Sequence, residues 1–248
     1  MRWPHPLIPG RLIRRYKRFL ADVALDDGVL GAGGDVTVHC PNPGRMLGLD
    51  APGSRVWLSQ GSNPRRRLPL TLELVEADGG LVGINTMHPN RLVEEAIRAG
   101  RIEELAGYRE VRREVAYDIG AHDRGSRIDL LLREPGRPDC YVEVKNVHLR
   151  RAAAAEFPDC VTARGARHLA AMVRQVGAGA RAVLVYVVQR ADCAAFAVAE
   201  DIDPVYAGAY RLALAGGVEA LCRACTISLE GIELAVPLPM APGAGLER

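Results

Sequence analysis

RIDLLLREPGRPDCYVEVK, residues 127–145, decides how the second half of this chain is read. Two apolar runs, 128–132 and 141–147, flank a turn holding Pro135, Gly136 and Pro138, which is the pattern of a β-hairpin. Side chains alternate between the faces of a strand, so Arg127, Asp129 and Leu131 share one face and Ile128, Leu130 and Leu132 the other. In the second strand Tyr141, Glu143, Lys145 and Val147 fall together, opposed by Val142 and Val144. One register sets Asp129 beside Glu143 and Lys145. Two carboxylates supply hard oxygen ligands for Mg2+, with Mn2+ as an alternative. Such an ion acidifies its bound water and offsets charge developing on a phosphodiester. The lysine would orient that water or stabilise the transition state. The same trio also reads as a solvated strand face with a cross-strand ion pair.

Asp, a turn of variable length, then Glu-x-Lys resembles the motif of the PD-(D/E)XK nuclease superfamily. Along the whole chain, RYKRFLADV, CPNPGRMLGL, LPLTLELVE, LVGINT, PNRLVEEAI, SRIDLLL, YVEVKNV, FPDCVTARG, RHL, VVQR and IDP follow in order. From about Leu12 to the Leu238 region the chain resembles the bacterial sugar fermentation stimulation protein A family. That resemblance implies an α/β plus all-β architecture: an OB-like β-barrel over 1–87, then a PD-(D/E)XK nuclease-like α/β domain over 88–248, its mixed sheet flanked by helices. It implies DNA as the ligand and an association with the regulation of sugar use, which defines no reaction. Asp129 and Glu143 would then bind Mg2+ while Lys145 assists attack by water. A first-helix glutamate often completes such a site, and Glu95 is chosen here over Glu94. Ala163, after Thr162, stands where the family pattern is acidic, so no accessory carboxylate is expected on that helix. The alternative is a non-catalytic, weakly sequence-selective DNA-binding regulator on the same fold.

Size and composition set wide limits. The 248 residues suffice for one large domain or two modest ones, and 48% hydrophobic with 25% charged residues is ordinary for a globular protein. A net charge of +2 does not announce a nucleic-acid partner, so the distribution of charge has to be read instead. Six scattered cysteines, the lack of a bilayer-length apolar run and the lack of a signal-peptide pattern point to a reducing, cytoplasmic setting without a membrane partner. Cys222 and Cys225 have CxxC spacing without a second pair and read as packing near a helix end. No HExxH, nucleophile-elbow or phosphate-loop pattern occurs, which argues against serine-hydrolase and nucleotide-dependent chemistry.

The first 86 residues read as short strands: one long curved strand over 12–25, then 35–40, 54–59, 68–76 and 81–86, with a short helix over 43–49. Five strands of this length suit an OB-type barrel, whose face often binds nucleic acid. Arg14, Lys17, Arg65 and Arg66 are its candidate phosphate contacts. Composition shifts at His88, after which Asn90 can cap a helix starting at Arg91 and ended by Gly100. A strand over 108–117 and a turn over 121–125 precede the central hairpin. Residues 150–156 read as loop or helix, and Asp159 as a helix cap or a water-mediated metal ligand. Thr162 caps a helix over 163–176 whose Arg164 and His168 face phosphate, and Arg127 is counted with them. An aliphatic strand over 181–189, a helix running on past Ala215 and a closing strand over 224–228 complete the domain, leaving a frayed tail over 242–248.

Overall fold

The alternating runs of the first 86 residues become strands, but not the single long one expected at their start. The computed structural model describes residues 1–28, 34–63, 65–116 and 127–241. Strands β1 (Ile8–Tyr16) and β2 (Leu20–Leu25) pair antiparallel, so the stretch expected to be one curved strand folds back on itself. Lys17 and Arg18 make that turn at φ of 48° and 61°, the left-handed region that glycine or asparagine usually signals. β3 (Asp35–His39), β4 (Arg55–Gln60), β5 (Leu70–Ala77) and β6 (Gly80–Gly83) follow. β1 pairs with both β2 and β4, β3 with β2, and β5 with β4. A parallel bridge from His39 in β3 to Thr71 in β5 closes the five strands into a ring, the connectivity of an OB barrel.

The segment 43–49 is not a helix. Met46 sits at φ 56°, and backbone carbonyls that a helix would pair internally are bound by an arginine. Arg15 donates to the carbonyls of Asn42 and Gly44, each at 2.8 Å. Met46 and Leu49 meanwhile plug the barrel beside Leu12, Val38 and Leu72. Six consecutive residues at the start of β5 are buried. Its Leu72 faces the barrel core and its Leu74 the core of the second domain, so the two units are packed face to face.

The second unit opens with α1 (Pro89–Arg98) and β7 (Glu110–Ala116). β8 (Arg127–Arg133) and β9 (Cys140–Val147) form the expected hairpin. β10 (Leu149–Arg151) and β11 (Ala154–Phe157) make a second hairpin in the segment read as loop or helix. Then come α2 (Ala163–Gly177), β12 (Arg181–Val188), β13 (Ala195–Val198), α3 (Pro204–Ala215), β14 (Glu219–Ser228) and β15 (Gly231–Pro237). The main sheet has the order β15-β14-β12-β9-β8-β7, and β12 runs parallel to both β9 and β14. β10, β11 and β13 form a small separate sheet. α1 lays Leu92, Val93 and Ala96 on one face of the main sheet, and α2 lays Leu169 and Met172 on the other. Covered on both faces, β12 is buried along nearly its whole length, as its aliphatic run predicts.

The helix expected to run past Ala215 stops there. Gly217 at φ 88° turns the chain, and Glu219 enters the sheet opposite Val183 of β12. The closing strand therefore starts earlier than 224, and β15 pairs beyond it. Cys222 and Cys225 lie on that buried strand rather than at a helix end, and burial pushes each thiol up to about 12. The turn expected at 121–125 and the tail expected at 242–248 lie outside the described residues. No helix among the described residues is long and apolar enough to cross a membrane.

Candidate metal and nucleic-acid site

Leu130 pairs with Val142 and Leu131 with Tyr141, the register that carries Asp129 to Glu143. At Asp129 the side chain takes over from the ladder: its Oδ2 accepts the backbone N–H of Val144 at 2.8 Å. Its Oδ1 accepts from Asn90 Nδ2, also at 2.8 Å. Asn90 was expected to cap α1. The helix instead begins at Pro89, with His88 at its N-cap and no side-chain cap; Asn90 lies inside the first turn, and its Nδ2 donates to Asp129. Glu143, only 2% exposed, receives two donors on Oε1: Lys145 Nζ at 2.5 Å and His168 Nδ1 from α2. Arg164 Nε donates to His168 Nε2 at 3.1 Å, which assigns the ring proton to Nδ1.

The two carboxylates are held in unlike states. Burial and then the charge of Glu143 push Asp129 up to about 6, against the Val144 N–H, Lys145 and Asn90. Burial opposes the charge of Glu143 too, but Lys145 and His168 outweigh it and hold that carboxyl below its usual range. Glu143 Oε2 is buried with no hydrogen-bond partner among the described residues. An unpaired buried acceptor costs about 1–3 kcal/mol, more when charged. Among the described residues no group of three or more His, Cys, Asp or Glu could hold a metal ion by itself. Mg2+ does not require one, since it keeps several waters and commonly takes one or two carboxylates. Two hard carboxylates, one with an oxygen left over, fit that ion.

Glu95 does not join this site. Its carboxylate is bound by the N-terminal ammonium at 2.8 Å and by Arg91 at 2.7 Å. Glu94 is no substitute, being taken by Arg98 and Arg113. Glu95, five residues on from Asn90, is turned well round the helix away from the hairpin; Glu94 shares the Asn90 face but stands one turn further along, where Arg98 and Arg113 take its carboxylate. His168 was read as a phosphate contact, yet it is 8% exposed and points at Glu143. The available signal was a polar residue in the apolar stripe of α2, beside Leu169 and Met172. Asp159 does not cap α2, a role Thr162 fills by accepting from the Gly165 N–H at 3.2 Å. Asp159 instead accepts from the backbone N–H of Met46, across the domain boundary.

The remaining basic candidates bond to other groups or lie in loops. Arg14 is ion-paired with Asp22 at 2.7 Å and Lys17 occupies the β1–β2 turn. Arg65 and Arg66 lie in the β4–β5 loop, where Arg66 donates to Thr71 Oγ1 at 3.3 Å. Arg127, at the head of β8, donates to the carbonyl of Glu114 at 2.7 Å.

Two family models match in tandem: the SfsA N-terminal OB domain over residues 13–84 and the sugar fermentation stimulation protein RE domain over residues 87–231. A sugar fermentation stimulation protein homolog of Rhodospirillum centenum is 61% identical over 94% of this chain and 96% of its own. Another, of Paramagnetospirillum magneticum, is 55% identical over 97% and 98%. The structure of Pyrococcus furiosus SfsA in complex with Ca2+ superposes with a TM-score of 0.85 at 26% identity, over 98% of each chain. The chain belongs to the sugar fermentation stimulation protein family.

Proposed function

We propose that this protein binds DNA and hydrolyses its phosphodiester bonds at Asp129, Glu143 and Lys145 with Mg2+, or Mn2+ in its place. The observation that carries this reading is Glu143 Oε2, a buried carboxylate oxygen left without a partner beside a second carboxylate. Asp129 and Glu143 would hold the ion, which when bound polarises the phosphate and acidifies water. The relative from Pyrococcus furiosus, solved with Ca2+, supports a divalent cation in the family.

The chain's own groups do the rest. Asn90 and the Val144 N–H fix the Asp129 carboxylate, so its oxygens need no reorganisation when the substrate arrives. His168 anchors Glu143 Oε1 and thereby turns Oε2 outward from its donors. Lys145, bound to the same Oε1, keeps its ammonium at the edge of the site, where it offsets charge on a non-bridging phosphate oxygen. On the barrel side, the β1–β2 and β4–β5 loops carry Lys17, Arg18 and Arg65–Arg67, and these loops are where OB folds grip oligonucleotides. Backbone contacts of that sort give binding that is weakly sequence-selective and falls with salt.

The test is cleavage of single- and double-stranded DNA with Mg2+ or Mn2+ against EDTA. Metal-dependent cleavage is expected from the native protein and not from Asp129→Asn. Activity that never appears with any substrate, or survives equally in Asp129→Asn and Lys145→Ala, leaves a DNA-binding regulator without catalysis.

A further inference from the structure

A cavity of ≈ 290 Å³ opens between the barrel and the second domain, lined among others by Arg18, Pro43, Thr86, Asn146, Val161 and Thr162. Asp129, Glu143 and Lys145 do not line it, and Asn146 points to the opposite face of β9 from Lys145. The closest link is α2, the helix that delivers His168 to Glu143, whose cap Thr162 lines the cavity six residues, roughly 9 Å, before His168.

The walls are built rather than left over. Asn146 Nδ2 donates to His148 Nδ1 at 2.9 Å, His148 Nε2 donates to Asp159 Oδ2 at 3.2 Å, and the Met46 N–H donates to the same oxygen at 2.9 Å. His148 is 4% exposed. Gly44 lies so close that a Cβ there would stand 2.5 Å from the Asp159 carboxylate. Arg18 holds the Pro43 carbonyl at 3.1 Å. The barrel loop and the residues leading into α2 are thus fixed against each other, and the space between them is pre-formed.

We infer that this cavity receives one unpaired nucleobase of a single DNA strand whose backbone runs past Asp129, Glu143 and Lys145, an inference that rests on reading those residues as a nucleic-acid site. The volume is at the lower end of the roughly 300–1,000 Å³ of small-molecule sites, which suits one base. The lining offers both kinds of contact a base needs. Pro43, Phe157 and Pro158 give apolar surface for its face. Asn146 uses one amide hydrogen on His148 and keeps a second, and the Thr162 hydroxyl accepts from Gly165 while retaining its own hydrogen to donate. Arg18 sits in the β1–β2 turn, placed for the phosphate of the same nucleotide.

One exposed apolar side chain lines the cavity and two others follow lining residues in sequence, although Val205, Leu212 and Val236 are comparably exposed elsewhere. Val161 lines the cavity at 71% exposure, Met87 follows the lining residue Thr86 at 74%, and Phe19 follows Arg18 at 48%. A base inside a duplex cannot reach such a space without being flipped out, so the site selects single strands.

The experiment is an abasic scan: one base is removed at each successive position of a single-stranded oligonucleotide, and affinity for the full-length protein is measured in EDTA, where no cleavage intervenes. A loss of roughly tenfold is expected at one position and much less at its neighbours, on the scale of one stacked base. Val161→Asp, at an exposed position lining the cavity, should level that profile. Intact binding with a flat profile in the native protein overturns the inference and leaves the proposed function standing. A profile equally peaked in Val161→Asp overturns this cavity as the place. Failure to bind any DNA removes the functional reading and this inference together.

Discussion

Two buried glutamates, one in each half of the molecule, meet opposite treatment. Glu73 on β5 is 4% exposed, and both its oxygens are used: Ser59 Oγ donates to Oε1 at 2.6 Å, and Asn85 Nδ2 and His88 Nε2 lie 2.8 and 2.7 Å from Oε2. Glu143 on β9 is 2% exposed, and both its donors crowd onto Oε1. The aspartates repeat the contrast. Burial opposes the charge of Asp159, but His148 and the Met46 N–H hold it down to about 2, whereas Asp129 is pushed up to about 6. The fold is therefore able to satisfy a buried carboxylate completely, and does so where the carboxylate joins one unit to the other. Among the described residues the buried carboxylate oxygen without a partner is on the hairpin, and that is what a cation would relieve.

The comparison breaks most visibly in catalysis. Asp129→Asn should bring cleavage below detection and weaken Mg2+ binding, while DNA binding in EDTA persists or tightens as a negative charge leaves. Lys145→Ala should lower cleavage by about 10²-fold or more even at saturating Mg2+, the scale of losing one transition-state charge donor. Single-turnover rates read against Mg2+ titrations separate the two. If the trio were only an ion pair, both changes would alter stability alone.

Stability gives the next largest effect, with opposite signs in the two regions. Asp159 has its pKa lowered from about 4 to about 2, so it contributes roughly 2 kcal/mol that is present above pH 4 and lost as pH falls toward 2. Asp159→Asn should lower Tm at pH 7, and the difference from the native protein should shrink in acid. Asp129 has its pKa raised from about 4 to about 6, so its ionisation costs stability above pH 6 and nothing below pH 4. Asp129→Asn should therefore remove a cost of up to about 3 kcal/mol from the metal-free protein at pH 7, offset in part because its NH2 must face either the Val144 N–H or the Asn90 amide and one hydrogen bond is lost. That gain should fade between pH 6 and 4, and Mg2+ should narrow it by stabilising only the native protein. Thermal melts across pH, with and without Mg2+, read all of this. A destabilised Asp129→Asn at pH 7 would show that the hairpin carboxylates are as well satisfied as Glu73.

How far the sequence could be read follows the same division. The hairpin and its three charged residues were legible because strand alternation is local and a turn with Pro135, Gly136 and Pro138 leaves little choice of face. The ring of barrel strands was legible from its punctuation, except where Lys17 and Arg18 turn the chain without glycine. What stayed hidden depends on distant partners. Asn90 serves Asp129 from 39 residues away and His168 serves Glu143 from 25, and each looked locally like something else, a helix cap and a phosphate contact. Residues 219–221 read as helix until β12 offers them a parallel edge. Residues 43–49 read as helix until Arg15 takes their carbonyls.

The finest test of the contrast is His168, because its two readings move different measurements. As a positioning residue it acts through Glu143, donating to Oε1 from the buried face of α2 with Arg164 behind it. His168→Ala removes one of the two donors that outweigh burial, so the Glu143 pKa should rise. The Mg2+ concentration for half-maximal cleavage should then rise about tenfold, the low end for losing a residue that orients a metal ligand. Saturating Mg2+ should restore most of the rate, since Lys145 and both carboxylates remain. The acid limb of the rate profile should shift to higher pH, as a carboxylate harder to ionise requires. Arg164→Ala, one step further out, should show the same pattern at a few-fold. As a phosphate contact, His168 would behave otherwise: its loss would weaken DNA binding in EDTA and flatten the salt slope by roughly 0.7–0.9, leaving the Mg2+ dependence where it was. Affinity in EDTA that holds while the Mg2+ curve moves would place His168 with the carboxylates, on the unsatisfied side of the comparison.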